Sequence, residues 1–101
     1  MRTVTVQDLR TVLDRDAAVV IDVREPEEFA TGHVPGARLV PLETVPQATD
    51  GLPADQPVYV ICQSGQRSAY AAQYLVQRGL DACNVEGGTG DWMAAGFAVE
   101  R

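Results

Sequence analysis

The residue best equipped for covalent chemistry is Cys62, in the run Val58-Tyr59-Val60-Ile61-Cys62-Gln63-Ser64-Gly65-Gln66-Arg67-Ser68. An apolar run leads into the cysteine, a polar stretch with one glycine follows, and an Ala-rich segment comes next. This order reads as strand, loop and helix. In open α/β sheets, ligands bind beyond the C-terminal ends of strands. A helix opening a few residues after Cys62 presents unpaired N–H groups that carry partial positive charge. A loop curled around the sulfur adds further amide donors. Both effects favour thiolate over thiol and so activate the nucleophile. Gly65 permits the tight turn that aims the amides inward. Arg67 adds a permanent cation where loop meets helix, for an anion or for loop carbonyls. Gln63, Ser64, Gly65, Gln66, Arg67 and Ser68 are thus the candidate binding residues around Cys62. Residues 56–80 contain no acidic side chain, although the chain's net charge is -6. That window could hold an anion. The pattern describes an activated cysteine in an anion cradle and does not choose sulfur over phosphate.

The flanking sequence supplies elements to position this loop. Short apolar runs alternate with helical segments, the mark of an α/β domain with a mainly parallel sheet and helices on both faces. Thr5-Val6-Gln7-Asp8 predicts a capping box with Thr5 as N-cap, and Leu9, Val12 and Leu13 then share a helical face. Residues 17–23 predict a buried strand. Pro26, Glu27 and Glu28 suit the first turn of a short helix that ends at Gly32. A strand is expected over 37–42, a loop with about one helical turn over 45–57, and a clear strand over 58–61. The Ala-rich helix spans 68–78, a strand spans 82–85, and a short helix spans 91–95 after the Gly87-Gly88 turn.

Other chemistry-bearing residues carry weaker signals. Asp22 and Arg24 end a buried strand near the expected site, where an ion pair of Arg24 with Asp22 or Glu28 would support the loop. His33, the single histidine, lies in a turn-like Gly-His-Val-Pro-Gly and reads as structural. Trp92 and Cys83 sit in apolar patterns and read as core; no sequence feature brings Cys83 to Cys62. One histidine and two distant cysteines do not make a zinc site, and no cofactor motif is present.

With 101 residues, 46% hydrophobic and 22% charged, the chain fits one soluble domain with its own core. The acidic balance argues against nucleic acid and anionic membrane as partners. The N-terminus lacks an export signal, so a cytoplasmic location and reduced thiols are expected. Nothing points to an obligate dimer, and a monomer is expected.

Four segments, in order, resemble the signatures of single-domain rhodaneses. They are Ile21-Asp22-Val23-Arg24-Glu25, Gly32-His33-Val34-Pro35-Gly36-Ala37, Cys62-Gln63-Ser64-Gly65-Gln66-Arg67, and Val85-Glu86-Gly87-Gly88 followed by Trp92 and Gly96. The resemblance implies a rhodanese-like sheet of roughly five strands. It also implies a sulfurtransferase that moves sulfane sulfur from thiosulfate or a persulfide, as a persulfide on Cys62, to cyanide, a thiol or a sulfur-carrier protein. The related cell-cycle dual-specificity phosphatases have a Cys-x5-Arg loop; the spacing here is Cys-x4-Arg, which resembles the sulfurtransferase form. Thiosulfate-specific two-domain rhodaneses carry basic residues just after the cysteine, where this chain has Gln63 and Ser64. Two other expectations stand beside enzyme activity: a sulfur-relay module with slow turnover alone, and a phosphatase or arsenate reductase.

Overall fold

The computed structural model describes all residues from Met1 to Arg101. Five parallel strands form one sheet: β1 (Arg2–Val4), β2 (Val19–Asp22), β3 (Arg38–Leu39), β4 (Val58–Ile61) and β5 (Ala82–Val85), in the order β1-β5-β4-β2-β3. The helices are α1 (Val6–Arg15), α2 (Pro26–Ala30), α3 (Val45–Ala48), α4 (Gln66–Gln77) and α5 (Gly88–Ala94).

The alternation of β4 divides the interior into two layers. Val58 and Val60 pack with Ile21, Ala71, Ala72 and Leu75 on the α4 face. Tyr59 and Ile61 pack with Val6, Leu9, Val85 and Trp92 on the face covered by α1 and α5. Period-two side-chain direction in a strand with both faces covered requires such a continuous apolar run. All four β4 residues are buried.

The chain direction fixes where a site can form. From β2 the chain moves to β3 at one edge; from β4 it moves to β5 on the other side, while β2 and β4 are neighbours. Connections diverging from adjacent parallel strands leave a crevice at the strands' C-terminal ends. Asp22 and Ile61 pair across it in register, so Cys62 begins there.

Several boundaries differ from the sequence expectation. Helix α4 starts at Gln66 rather than Ser68, because Gly65 (φ 99°) turns the chain directly into it. Helix α5 starts at Gly88 rather than Asp91, again from a glycine with positive φ. A glycine start lacks the Ser, Thr, Asp or Asn that advertises an N-cap. The strands expected over 17–23 and 37–42 shorten to Val19–Asp22 and Arg38–Leu39. The capping box at Thr5 forms as expected, with Asp8 N–H donating to Thr5 Oγ1 at 3.1 Å and Thr5 N–H to Asp8 Oδ2 at 3.0 Å. No helix is long and apolar enough to cross a membrane.

Candidate active site around Cys62

The peptide groups of the loop after β4 are sorted by direction. Its first two carbonyls face outward to α5: Thr89 N–H and Oγ1 both donate to the Cys62 carbonyl at 2.8 and 3.0 Å, and Gly90 N–H donates to the Gln63 carbonyl at 3.0 Å. Those N–H groups belong to the first turn of α5, where no intrahelical acceptor exists. With the carbonyls taken, the loop's own N–H groups are free to face the sulfur. Gly65 N–H donates to Cys62 Sγ at 3.1 Å. Close approach makes this possible: a side chain at Gly88 would overlap the carbonyls of Cys62 and Gln63.

A hydroxyl completes the cradle. Ser68 Oγ lies 3.4 Å from Cys62 Sγ and 2.6 Å from Asn84 Oδ1. The Asn84 amide N–H donates in turn to the Gly65 carbonyl at 3.2 Å, which fixes which end of the amide faces Ser68. One hydroxyl proton thus serves two acceptors, the amide oxygen and the sulfur. Burial pushes the Cys62 thiol up, the largest single influence, yet the net direction is down. The Ser68 hydroxyl and the backbone N–H groups of Ser68, Gly65 and Ser64 stabilise the anion and together outweigh desolvation. Cys62 has no exposed surface and belongs to the apolar layer with Val60, Ala71 and Leu75, and the Gly65 N–H and the Ser68 hydroxyl reach its sulfur within that layer.

Arg24 braces the approach to the loop. Its Nε and Nη2 donate to the Asp22 carboxylate at 3.0 and 2.9 Å, and Nη2 also donates to the Gly32 carbonyl at 2.9 Å. Its Nη1 donates to Gln63 Oε1 at 3.2 Å. This pair is fully buried, a costly arrangement that succeeds because the carboxylate also accepts from Arg24 N–H and the guanidinium has further acceptors. Asp22 and Arg24 therefore hold the loop from below without touching the sulfur.

Arg67 does not turn toward Cys62. Both of its terminal nitrogens donate to Glu28 at 2.8 Å, one to each carboxylate oxygen. The Glu28 carboxyl is held down to about 2, first by Arg67 and then by the Glu25 backbone N–H. The acid-free window around Arg67 is thus real in sequence and cancelled in space. Gln63, Ser64 and Gln66 are exposed on the outer side of the loop.

His33 is structural: its ring stacks on Phe29 at 3.6 Å, and Nδ1 lies 2.9 Å from the Phe29 carbonyl. Cys83 is buried in the other layer. A surface cleft of about 930 Å³ is lined by residues such as Arg10, Pro35 and Trp92 and includes no residue of the loop. The sequence reading missed Asn84, Thr89 and Gly90 as site residues. Only Asn84 left a trace, as a polar residue inside an apolar strand.

The rhodanese-like domain family matches residues 5–95. The chain belongs to the rhodanese-like family. Its relatives include thiosulfate sulfurtransferase GlpE of Pseudomonas putida, 40% identical over 81 residues, covering 79% of this chain and 74% of the relative. The Bacillus subtilis protein YqhL, named only as uncharacterized, is 41% identical over 93 residues, covering 91% and 72%. Among solved structures, a rhodanese-related protein from Thermoplasma volcanium is 34% identical with a TM-score of 0.92, covering 99% of this chain and 98% of that one. A rhodanese-like sulfurtransferase family member is thus the frame for the cradle around Cys62.

Proposed function

We propose that the protein is a sulfurtransferase that moves sulfane sulfur from thiosulfate or a persulfide donor to cyanide or a thiol acceptor through a persulfide on Cys62. The observation that carries this reading is the convergence of Gly65 N–H and Ser68 Oγ on Cys62 Sγ. Preorganised donors around a nucleophilic sulfur stabilise the thiolate and any anion that replaces it. With thiosulfate, Cys–S⁻ attacks the outer sulfur, an S–S bond forms to Cys62, and sulfite leaves with the electron pair of the broken bond. The Cys62 persulfide anion then yields its outer sulfur to cyanide, giving thiocyanate and the original thiolate. A thiol acceptor takes the same sulfur and becomes a persulfide. The protein itself contributes no oxidant and no proton store to this cycle; the same amides hold the charge at each stage.

Exposure to thiosulfate and, separately, to glutathione persulfide should add one sulfur atom to Cys62 by intact mass, and Cys62→Ser should abolish the adduct and thiocyanate formation. Full activity in that variant would end the assignment.

A relay role is the second reading. It is favoured by the absence of exposed surface on Cys62 and by the uncharged outward side chains of Gln63, Ser64 and Gln66. It predicts a long-lived persulfide, slow cyanolysis, and a rate raised by a sulfur-carrier partner. The phosphatase reading is weakened by the Arg67–Glu28 pair, since a phosphate-holding arginine must face the nucleophile; hydrolysis of p-nitrophenyl phosphate would revive it. On the sulfurtransferase reading the protein works as a monomer in the reducing cytoplasm.

A further inference from the structure

The loop after Cys62 is braced by two guanidiniums and two carboxylates, and each guanidinium is matched. Arg24 is held by Asp22 and Arg67 by Glu28. Their charges sum to zero. The remaining side chains of the loop, Gln63, Ser64, Gln66 and Ser68, carry no charge. Other charged residues flanking these segments in the chain are negative: the exposed Glu86, whose backbone packs against Gly65, and the exposed Glu25 and Glu27 beside Glu28. The direct partners of the sulfur are therefore dipoles, and the cation of the loop, Arg67, is already matched by Glu28.

That matters because donors differ in charge. Thiosulfate brings two negative charges to a thiolate: Cys–S⁻ plus S–SO₃²⁻ gives Cys–S–S⁻ plus SO₃²⁻. The persulfide of an uncharged thiol brings at most one, and reacts through its protonated form: Cys–S⁻ plus R–S–SH gives Cys–S–SH plus R–S⁻. Like-charge encounter in a site without a compensating cation slows binding of the first and spares the second.

We propose that Glu28 is a specificity-determining residue: by holding Arg67 it sets the site against dianionic donors and in favour of sulfur carried on the persulfide of an uncharged thiol. The proposal rests on the reading that Cys62 accepts sulfur. Glu28 is well placed for such control. It comes from the helix after β2, it binds Arg67 in two-point fashion, and its own Oε1 is fixed by the Glu25 N–H at 3.0 Å.

The test compares kcat/KM for thiosulfate with that for the persulfide of 2-mercaptoethanol. Glu28→Gln keeps an oxygen for the Glu25 N–H but frees the charge of Arg67. It should raise the thiosulfate-to-persulfide ratio about tenfold, less at high salt. Arg67→Gln leaves Glu28 unmatched and should lower the ratio about tenfold, and the double variant should return near the parent. Single variants that leave the ratio within about twofold, or that move it in the same direction, overturn the role of Glu28. Intact mass separates this from the underlying reading: a Cys62 sulfur adduct with an unchanged ratio sinks the specificity proposal alone. No adduct from either donor in any variant sinks both.

Discussion

Cys62 and Cys83 are equally buried, with no solvent contact for either side chain, yet their acidities move in opposite directions. Burial pushes both thiols up. At Cys83, in the layer with Val6, Leu9 and Trp92, that push prevails over the charges of Arg2, its register partner on β1, and of the N-terminus. At Cys62 the Ser68 hydroxyl and the loop amides reverse it. The difference lies in what replaces water. A strand spends its N–H groups on neighbouring strands, so a cysteine within it meets only side chains. A loop whose carbonyls are held by another element has N–H groups to spare. Burial alone makes an inert thiol; burial among unspent donors makes an activated one.

This contrast can be broken in graded ways. The largest effect is expected from removing each sulfur in turn. Cys62→Ser should reduce thiocyanate formation below detection, whereas Cys83→Ala should keep sulfur loading and cost about 1–2 kcal/mol in urea unfolding. Equal losses of activity in both variants would erase the distinction. Next comes the support of the cradle. Gly88→Ala places a methyl against the Cys62 and Gln63 carbonyls at a residue with φ 59°. It should destabilise the fold by at least about 2 kcal/mol and depress Cys62 loading in the molecules that remain folded. Smaller again is Ser68→Ala, which deletes one donor to the sulfur and leaves Asn84 Oδ1 unmatched. About a ten- to hundredfold fall in sulfur transfer is expected, with no change at Cys83. A fall smaller than twofold would assign the cradle to the amides alone.

The subtlest measurement is the pH profile of alkylation by iodoacetamide, followed by mass at each cysteine. Thiolate is the reacting form. A lowered pKa brings the rise in rate at Cys62 to lower pH than for an ordinary cysteine thiol. The raised pKa at Cys83 delays its rise to higher pH or to unfolding. Coincident profiles would show that the donors do not act on the sulfur as the geometry implies.

The sequence revealed the parts of this contrast that are local. Strands β4 and β5 were readable to the residue, because continuous apolar runs bounded by polar turns leave little choice. Cys62 and Gly65 were readable as a strand end and the loop after it, and Ser68 as a binding residue opening the helix that follows. Strand β1 was not, since Arg2–Val4 is three residues long, mostly exposed, and depends on pairing with β5. Arg67 was legible as a cation but not as a matched one, because Glu28 lies 39 positions away. Thr89 was hidden for the same reason, and Asn84 showed only as a polar residue in an apolar strand: the importance of both comes from contacts across the fold. For Arg24, the two partners open in the sequence were Asp22 and Glu28; the fold gives it Asp22 and assigns Glu28 to Arg67.

The hold of Thr89 on the Cys62 carbonyl spans 27 positions. In a growing chain this partner is added after Cys62, so the loop stays unanchored until residues 88–94 have been made and have docked. During that interval the sulfur has the reactivity of any unstructured cysteine, and it gains its special acidity only when the last helix docks. Folding thus acts as a licensing step: the acidity of Cys62 belongs to finished molecules rather than to nascent ones.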